Sequence, residues 1–117
     1  MKKAIIVGAS SGIGKEIALS LLRDHYKIGI TGRRINNLEE IKQINPKNIF
    51  VSSYDCTKES NAKKLDELVK LMGGLDMLVI SSGFGDVNKS LEFFIENKTN
   101  QLNVVAFTET VGWGFNY

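Results

Sequence analysis

The amino-acid sequence predicts an α/β protein built on a doubly wound parallel sheet, with about four strands and four helices. Short apolar segments rich in β-branched residues alternate four times with segments whose apolar residues recur at helical spacing. The first join between a strand and a helix is glycine-rich. This alternation requires parallel strands, right-handed crossovers and helices on both faces of the sheet.

The first half of the chain contains three predicted strands and two predicted helices. The strands are expected at residues 3–7, 26–31 and 49–53, and the first helix at residues 12–24. Asn36 or Asn37 can cap a shorter second helix, which continues to Ile44.

The second half continues the alternation. Thr57, with Ser60 as an alternative, is expected to cap a third helix, which ends at Gly73–Gly74. Its buried stripe is Leu65, Leu68, Val69 and Met72. A fourth strand is predicted at residues 75–80, followed by a loop at 81–89. The remainder, from Leu91 or Asn97 onward, is predicted to be helical, with one face formed by Leu102, Val105 and Ala106.

The composition excludes several classes of function. The chain has 117 residues, of which 43% are hydrophobic and 24% charged, so one small globular domain is expected. The net charge is only +2 and the basic residues are dispersed, so we expect no nucleic-acid partner. Cys56 is the only cysteine and His25 the only histidine, which indicates a reducing, cytoplasmic location and no metal site. No apolar stretch is long enough for a signal peptide or a membrane span.

The glycine-rich join "VGASSGIGK" predicts an anion-binding turn, because a helix N-terminus with closely approachable amides attracts phosphate. Five residues separate Gly8 from Gly14, and Glu16 stands where a P-loop has its metal-binding hydroxyl, so the P-loop is excluded. Ile17 occupies the last glycine position of the common G-x-G-x-x-G fingerprint, so that motif also fails. The spacing that remains is G-x-x-x-G-x-G.

This spacing, together with "TGRR", "YDCT", "LVISSGFG" and "QLNVVAF" in the same order, resembles the short-chain dehydrogenase/reductase family. The resemblance extends over essentially the whole chain. It implies a Rossmann-like NAD(P)-binding domain over residues 1–117, forming the N-terminal part of a longer oxidoreductase. Such an enzyme transfers hydride between a nicotinamide cofactor and a small carbonyl or alcohol substrate.

The resemblance also implies roles for individual residues. Gly12 and Gly14 would permit the pyrophosphate to approach, Asp55 would bind the adenine amino group, and Asn103 would be the asparagine of the catalytic tetrad. The implied cofactor-binding residues are Gly8, Ser10, Ser11, Gly12, Ile13, Gly14, Arg33, Arg34, Asp55, Cys56, Ser81, Ser82 and Gly83. Judged from the residues alone, without the family resemblance, Asp55–Cys56 is also compatible with the ordinary end of a strand. Asn103 is likewise compatible with an ordinary polar residue in a helix.

Arg33 and Arg34 bear on the choice of cofactor. NAD-binding folds place a carboxylate about 20 residues beyond the glycines, but this sequence has two arginines there. Because a guanidinium can bind a 2′-phosphate bidentately, the sequence favours NADP over NAD. A pair of arginines on a solvated loop is the alternative interpretation.

The sequence departs from the family pattern in two places. Ile80 stands at a position where the family has an asparagine that joins neighbouring strands. The catalytic Tyr-x-x-x-Lys is also missing: Tyr54 and Lys58 match its spacing only formally, at a strand exit, and Tyr117 is the last residue. We therefore expect a chain that binds cofactor but has little activity of its own.

Two structural expectations follow from such a chain. The fourth strand should present an unpaired edge. The apolar C-terminal helix should drive assembly into a homo-oligomer.

A non-catalytic nucleotide-binding or oligomerisation module is the alternative function. A Rossmann-type methyltransferase is more distant, because that fold favours an acid near Arg33 and Arg34.

Overall fold

The computed structural model describes residues 1–9, 12–53, 61–81 and 103–106. Five strands and three helices lie in these ranges. The strands are β1 (Lys3–Val7), β2 (Lys27–Gly32), β3 (Ile49–Ser53), β4 (Met77–Ile80) and β5 (Asn103–Ala106). The helices are α1 (Gly12–Arg23), α2 (Ile35–Lys42) and α3 (Asn61–Met72). All strand pairs are parallel, in the order β3-β2-β1-β4-β5. The predicted doubly wound fold is thus confirmed.

One face of the sheet packs against α1 and α2. Alternate strand residues point to this face, because side chains change sides at each step along a strand. Ile6 pairs with Ile30 on one side and Val79 on the other, and all three lie in one buried cluster. Ala18 from α1 and Leu38 from α2 cover that cluster and are fully buried.

The opposite face packs against α3, so helices lie on both sides of the sheet. Leu65, Leu68 and Met72 of α3 are buried, as its helical spacing predicts, whereas Val69, predicted to belong to the same stripe, is only half-buried. A Cβ atom at Gly29 of β2 would lie 2.7 Å from Met72 Sδ and 2.9 Å from Leu68 Cδ2. Gly29 therefore lets α3 lie close to the middle of the sheet.

Helices α1 and α3 are each followed by a residue with a positive φ. His25 is exposed after α1 and has a φ of 66°, so it lies in the surface turn that leads to β2. Gly73 has a φ of 85° and its amide donates to Val69 O, so it ends α3 as predicted. The predicted caps Thr57 and Ser60 lie outside the described residues.

The start of α2 differs from the prediction. Asn36 and Asn37 lie inside the helix rather than at its cap, and Arg34 occupies the cap position without a side-chain hydrogen bond. The backbone carbonyl of Arg34 accepts bonds from the amides of Asn37 and Leu38. The backbone of Arg34 therefore starts α2 without a side-chain cap from that residue.

The prediction of a helix through residues 103–106 is wrong. This segment is β5, and its residue Asn103 pairs with Met77 of β4. The run Val104–Val105 is β-branched, which favours a strand where a partner strand is open to pairing. Consequently the expectation of an unpaired β4 edge is also wrong, because β5 covers it.

Within the described ranges, no helix has both the length and the apolar character needed to cross a bilayer. The same ranges hold no group of three or more His, Cys, Asp or Glu side chains that could bind a metal ion.

Candidate functional site

The candidate site lies at the carboxyl edge of the sheet, where β1 and β4 end side by side. From β1 the chain crosses to β2 through α1 on one face, whereas it reaches β4 from β3 through α3 on the other. The connection that leaves β1 and the connection that enters β4 therefore lie on opposite faces of the sheet. In open α/β sheets, ligands bind in the crevice outside the carboxyl ends of the strands at such a switch point.

The start of the glycine turn is attached to the end of β2. The amides of Gly8 and Ala9 both donate to the carbonyl oxygen of Thr31, at 2.9 and 2.8 Å. Thr31 is buried, and its Oγ1 donates to Ile6 O at 3.4 Å. Because these two amides already have a protein acceptor, donors for a bound anion must come from the part of the turn nearer α1.

Gly14 has a packing role in this turn. A Cβ atom there would overlap Gly8 O and would lie 2.9 Å from Gly8 C and 3.2 Å from Ala9 Cα. Gly14 therefore allows the first turn of α1 to contact the backbone that leaves β1. The sequence predicts this glycine for pyrophosphate approach, but the contact explains it through close helix–strand packing.

Gly12 is the position that leaves room for a ligand. Its φ is 63°, and a Cβ atom built there would have no atom of the described residues within 4 Å, apart from its chain neighbours and the adjacent backbone of α1. The residue opens α1, so the helix N-terminus, with its partial positive charge, begins at this space. Ile13 beside it is 44% exposed. The turn thus offers a cradle in which a phosphate group can approach the backbone.

Arg33 and Arg34 follow β2 directly, at the same edge of the sheet, and both are exposed. The next four residues, Ile35 to Leu38, contain no carboxylate. The side chains that leave the end of β2 are thus cationic, and they suit an anionic group better than a sugar hydroxyl.

Ser81 lies next to the glycine turn. It follows β4 immediately and is half-buried, and its amide donates to Val7 O at 2.8 Å. This hydrogen bond continues the β1–β4 pairing to the point at which Gly8 leaves the sheet. Ser81 and Gly8 are therefore neighbours at the switch point.

The structure brings together only part of the predicted site. The glycine turn, the arginine pair and Ser81 share one edge of the sheet. The predicted residues Ser10, Ser11, Asp55, Cys56, Ser82 and Gly83 lie outside the described residues. Asn103 pairs with Met77 at the amino end of β4, whereas Ser81 follows its carboxyl end. A four-residue strand of about 3.3 Å per residue separates these two edges by roughly 10 Å.

Sequence reasoning missed Lys64 at this edge. Its Nζ lies 3.5 Å from both the carbonyl oxygen and the Oγ of Ser53, the last residue of β3. The only sequence signal is a lysine in the first turn of the helix that follows β3. That signal does not specify a contact eleven residues away along the chain.

The family model and the relatives that match this chain point to the same protein family. A family model described as short chain dehydrogenase matches residues 2–112. A glucose 1-dehydrogenase from Gluconobacter oxydans is 32% identical over 101 residues, which cover 82% of this chain and 38% of that protein. The chain spans about a third to a half of the length of the curated relatives it matches.

Solved structures agree with this family at the level of the fold. An alcohol dehydrogenase from the archaeon Thermococcus sibiricus, complexed with 5-hydroxy-NADP, has a TM-score of 0.73 at 25% identity. The alignment covers 89% of this chain and 57% of that one. A 3-ketoacyl-(acyl-carrier-protein) reductase from Brucella melitensis, complexed with NADH, has a TM-score of 0.70 at 21% identity, covering 81% and 47%.

Proposed function

Because the chain belongs to the short-chain dehydrogenase family, we propose that it provides the cofactor-binding part of an NADP-dependent short-chain oxidoreductase. The observation that carries the proposal is the open space at Gly12, at the N-terminus of α1 and beside the switch point of the sheet. An anion at this place gains from the helix dipole and from the amides of the first turn of α1.

The preference for NADP rests on the end of β2. Arg33 and Arg34 are exposed there, and the residues up to Leu38 offer no carboxylate to the ribose hydroxyls of NAD. A guanidinium binds a phosphate by paired, charge-assisted hydrogen bonds. The structural relatives named above carry either NADH or an NADP derivative, so the arginine pair is the argument for the phosphorylated form.

The remaining contacts follow from the family resemblance. Ser10, Ser11 and Ile13 would line the pyrophosphate, and Asp55 and Cys56 would hold the adenine. Ser81, Ser82 and Gly83 would lie along the ribose on the nicotinamide side. Bound there, the nicotinamide would supply hydride transfer to or from a small carbonyl or alcohol.

The proton transfer that accompanies hydride transfer needs groups that this sequence does not provide. The Tyr-x-x-x-Lys pattern of the family has only the formal match Tyr54–Lys58. Asn103, the proposed tetrad asparagine, lies at the amino end of β5. We propose that residues 1–117 bind the cofactor as part of a longer oxidoreductase, and that alone they have little turnover.

A second candidate is a nucleotide-binding module without catalysis. It shares the cofactor site but predicts no hydride transfer in any longer protein that contains this chain. Apolar residues between 104 and 115 support self-association in either case, although not through a helix at residues 103–106. The single Cys56 supports a reducing, cytoplasmic location.

Calorimetric titration of the 117-residue chain with NADPH and NADH tests the proposal. We expect tighter binding of NADPH. The double variant Arg33→Ala/Arg34→Ala should weaken it by about 10- to 100-fold, because charge-assisted hydrogen bonds contribute about 1.5–3 kcal/mol. NADH binding should change less than about twofold.

Arg23→Ala is the matched control, since Arg23 is an exposed arginine at the other end of α1. It should leave both affinities unchanged. Equal binding of NADPH and NADH by the unaltered chain would contradict the preference for NADP. Binding of S-adenosylmethionine in place of both would indicate a methyltransferase.

A further inference from the structure

Lys64 brings a third cation to the carboxyl edge of the sheet, from a different element than the arginine pair. It lies in the first turn of α3 and is half-buried. Its Nζ is 3.5 Å from Ser53 O and 3.5 Å from Ser53 Oγ. Both acceptors are neutral, so these contacts position the ammonium group without neutralising its charge.

The strand register places Lys64 beside the start of the arginine pair. Ser53 pairs with Gly32, and Arg33 is the next residue along the chain. Adjacent strands are about 4.8 Å apart, so the ammonium lies on the order of 10 Å from the backbone at Gly32. This separation is comparable to the Debye length of about 10 Å at 0.1 M ionic strength, so an anion bound between the ends of β2 and β3 would interact with both sets of charges with only partial screening.

Water can replace the contact between Lys64 and Ser53. Ser53 is exposed, so water can satisfy both of its oxygens. Each bond is also at the long limit for a hydrogen bond, so the contact itself is weak. Within the described residues these long contacts are the ones that position the ammonium group, and an anion nearby would offer it a stronger, charge-assisted bond.

We propose that Lys64 is a specificity-determining residue that favours the 2′-phosphorylated adenosine half of the cofactor over the unphosphorylated one. This inference rests on the proposed cofactor site and adds to it a cation from α3. Arg33 and Arg34 approach the phosphate from the end of β2, and Lys64 from the side of β3. The positive charge of Lys64 favours the 2′-phosphate, because a neutral sugar hydroxyl gains little from a nearby cation.

Two probes that differ only in the 2′-phosphate isolate this effect: adenosine 2′,5′-bisphosphate and adenosine 5′-monophosphate. Calorimetric titration at about 0.1 M ionic strength keeps the Debye length near 10 Å, so that mainly the charges closest to the 2′-phosphate contribute. Lys64→Met, which keeps the aliphatic stem, should weaken the bisphosphate about two- to fivefold, the range expected of a partly exposed ion pair. Binding of the monophosphate should stay the same.

Lys63→Met is the matched control, because Lys63 is an exposed lysine in the same turn. It should change neither affinity. Lys64→Arg should retain the preference for the bisphosphate, which separates the loss of a charge from damage to α3. At about 1 M salt, where the Debye length is near 3 Å, the difference between the unaltered chain and Lys64→Met should disappear.

The outcomes separate this inference from the proposed function. If Arg33→Ala/Arg34→Ala weakens the bisphosphate and Lys64→Met does not, the role of Lys64 is refuted and the NADP site stands. If Lys64→Arg loses the preference as Lys64→Met does, the effect is structural and the inference also fails. If the unaltered chain binds both probes equally, both the NADP preference and the role of Lys64 are overturned.

Discussion

Replacing Gly14 with alanine should destabilise the protein, even though alanine is the better helix former. In an ordinary helix interior this change would stabilise by about 1 kcal/mol. At Gly14, however, the new Cβ would overlap Gly8 O and lie 2.9 Å from Gly8 C. These are backbone atoms, so no side-chain rotation can relieve the overlap.

The size of the effect follows from these opposing terms. Overpacking in a well-packed interior costs about 1–3 kcal/mol, and rigid backbone neighbours place Gly14 at the upper end of that range. Subtracting the helix-propensity gain leaves a net loss of about 2 kcal/mol in the free energy of unfolding. For a domain of this size that loss corresponds to a fall in Tm of roughly 8 °C.

Urea denaturation monitored by circular dichroism measures this loss, with Gly12→Ala as the comparison. Among the described residues, a Cβ at Gly12 would have no atom within 4 Å apart from its chain neighbours and the adjacent backbone of α1, so the φ of 63° is the main term that opposes the substitution. That strain costs about 1–2 kcal/mol, and the lower entropy of the unfolded chain offsets about half of it. Gly12→Ala should therefore be the more stable variant, yet it should weaken NADPH binding because the methyl group occupies the space proposed for phosphate.

A Gly14→Ala protein as stable as the unaltered chain would refute this reasoning. It would mean that α1 does not press on the turn after β1. If Gly12→Ala kept its full affinity for NADPH, the open space would not be the phosphate site.

The remaining predictions concern the face under α3 and self-association. Gly29→Ala should cost about 1–2 kcal/mol, because its Cβ meets the movable side chains of Met72 and Leu68. Adding Leu68→Ala should cost less than the sum of the two single changes, and urea denaturation of the double-mutant cycle would reveal this coupling; strict additivity would contradict it. Light scattering over a range of concentrations should show dimers or larger assemblies, and a monomer at high concentration would refute the proposed self-association.

The sequence predicts most of the fold because its strands and first helices carry complete local patterns. The predicted strand over residues 49–53 coincides with β3, and Gly73 ends α3 as expected. Residues 103–106 are predicted as a helix but form β5, since their partner β4 lies more than twenty residues earlier in the chain. Periodicity within a segment does not report which distant edge is open to pairing.

The sequence likewise predicts only part of the candidate site. The glycine spacing predicts a strand-to-helix join, and β1 and α1 lie on either side of it as expected. The sequence does not predict that Gly14 contacts the backbone after β1 whereas, among the described residues, Gly12 borders open space. This difference depends on how closely α1 approaches β1, which only the three-dimensional packing determines. The contact between Lys64 and Ser53 likewise depends on the path of the chain between β3 and α3.

The two hydrogen bonds to Thr31 O have a consequence for dynamics. The amides of Gly8 and Ala9 can exchange their hydrogens with solvent only when the ends of β1 and β2 separate. The start of the glycine turn therefore opens together with the centre of the sheet, as part of one cooperative unit rather than as a surface loop. Gly8 and Ala9 have therefore lost their conformational freedom during folding, so their ordering does not oppose the binding of a ligand.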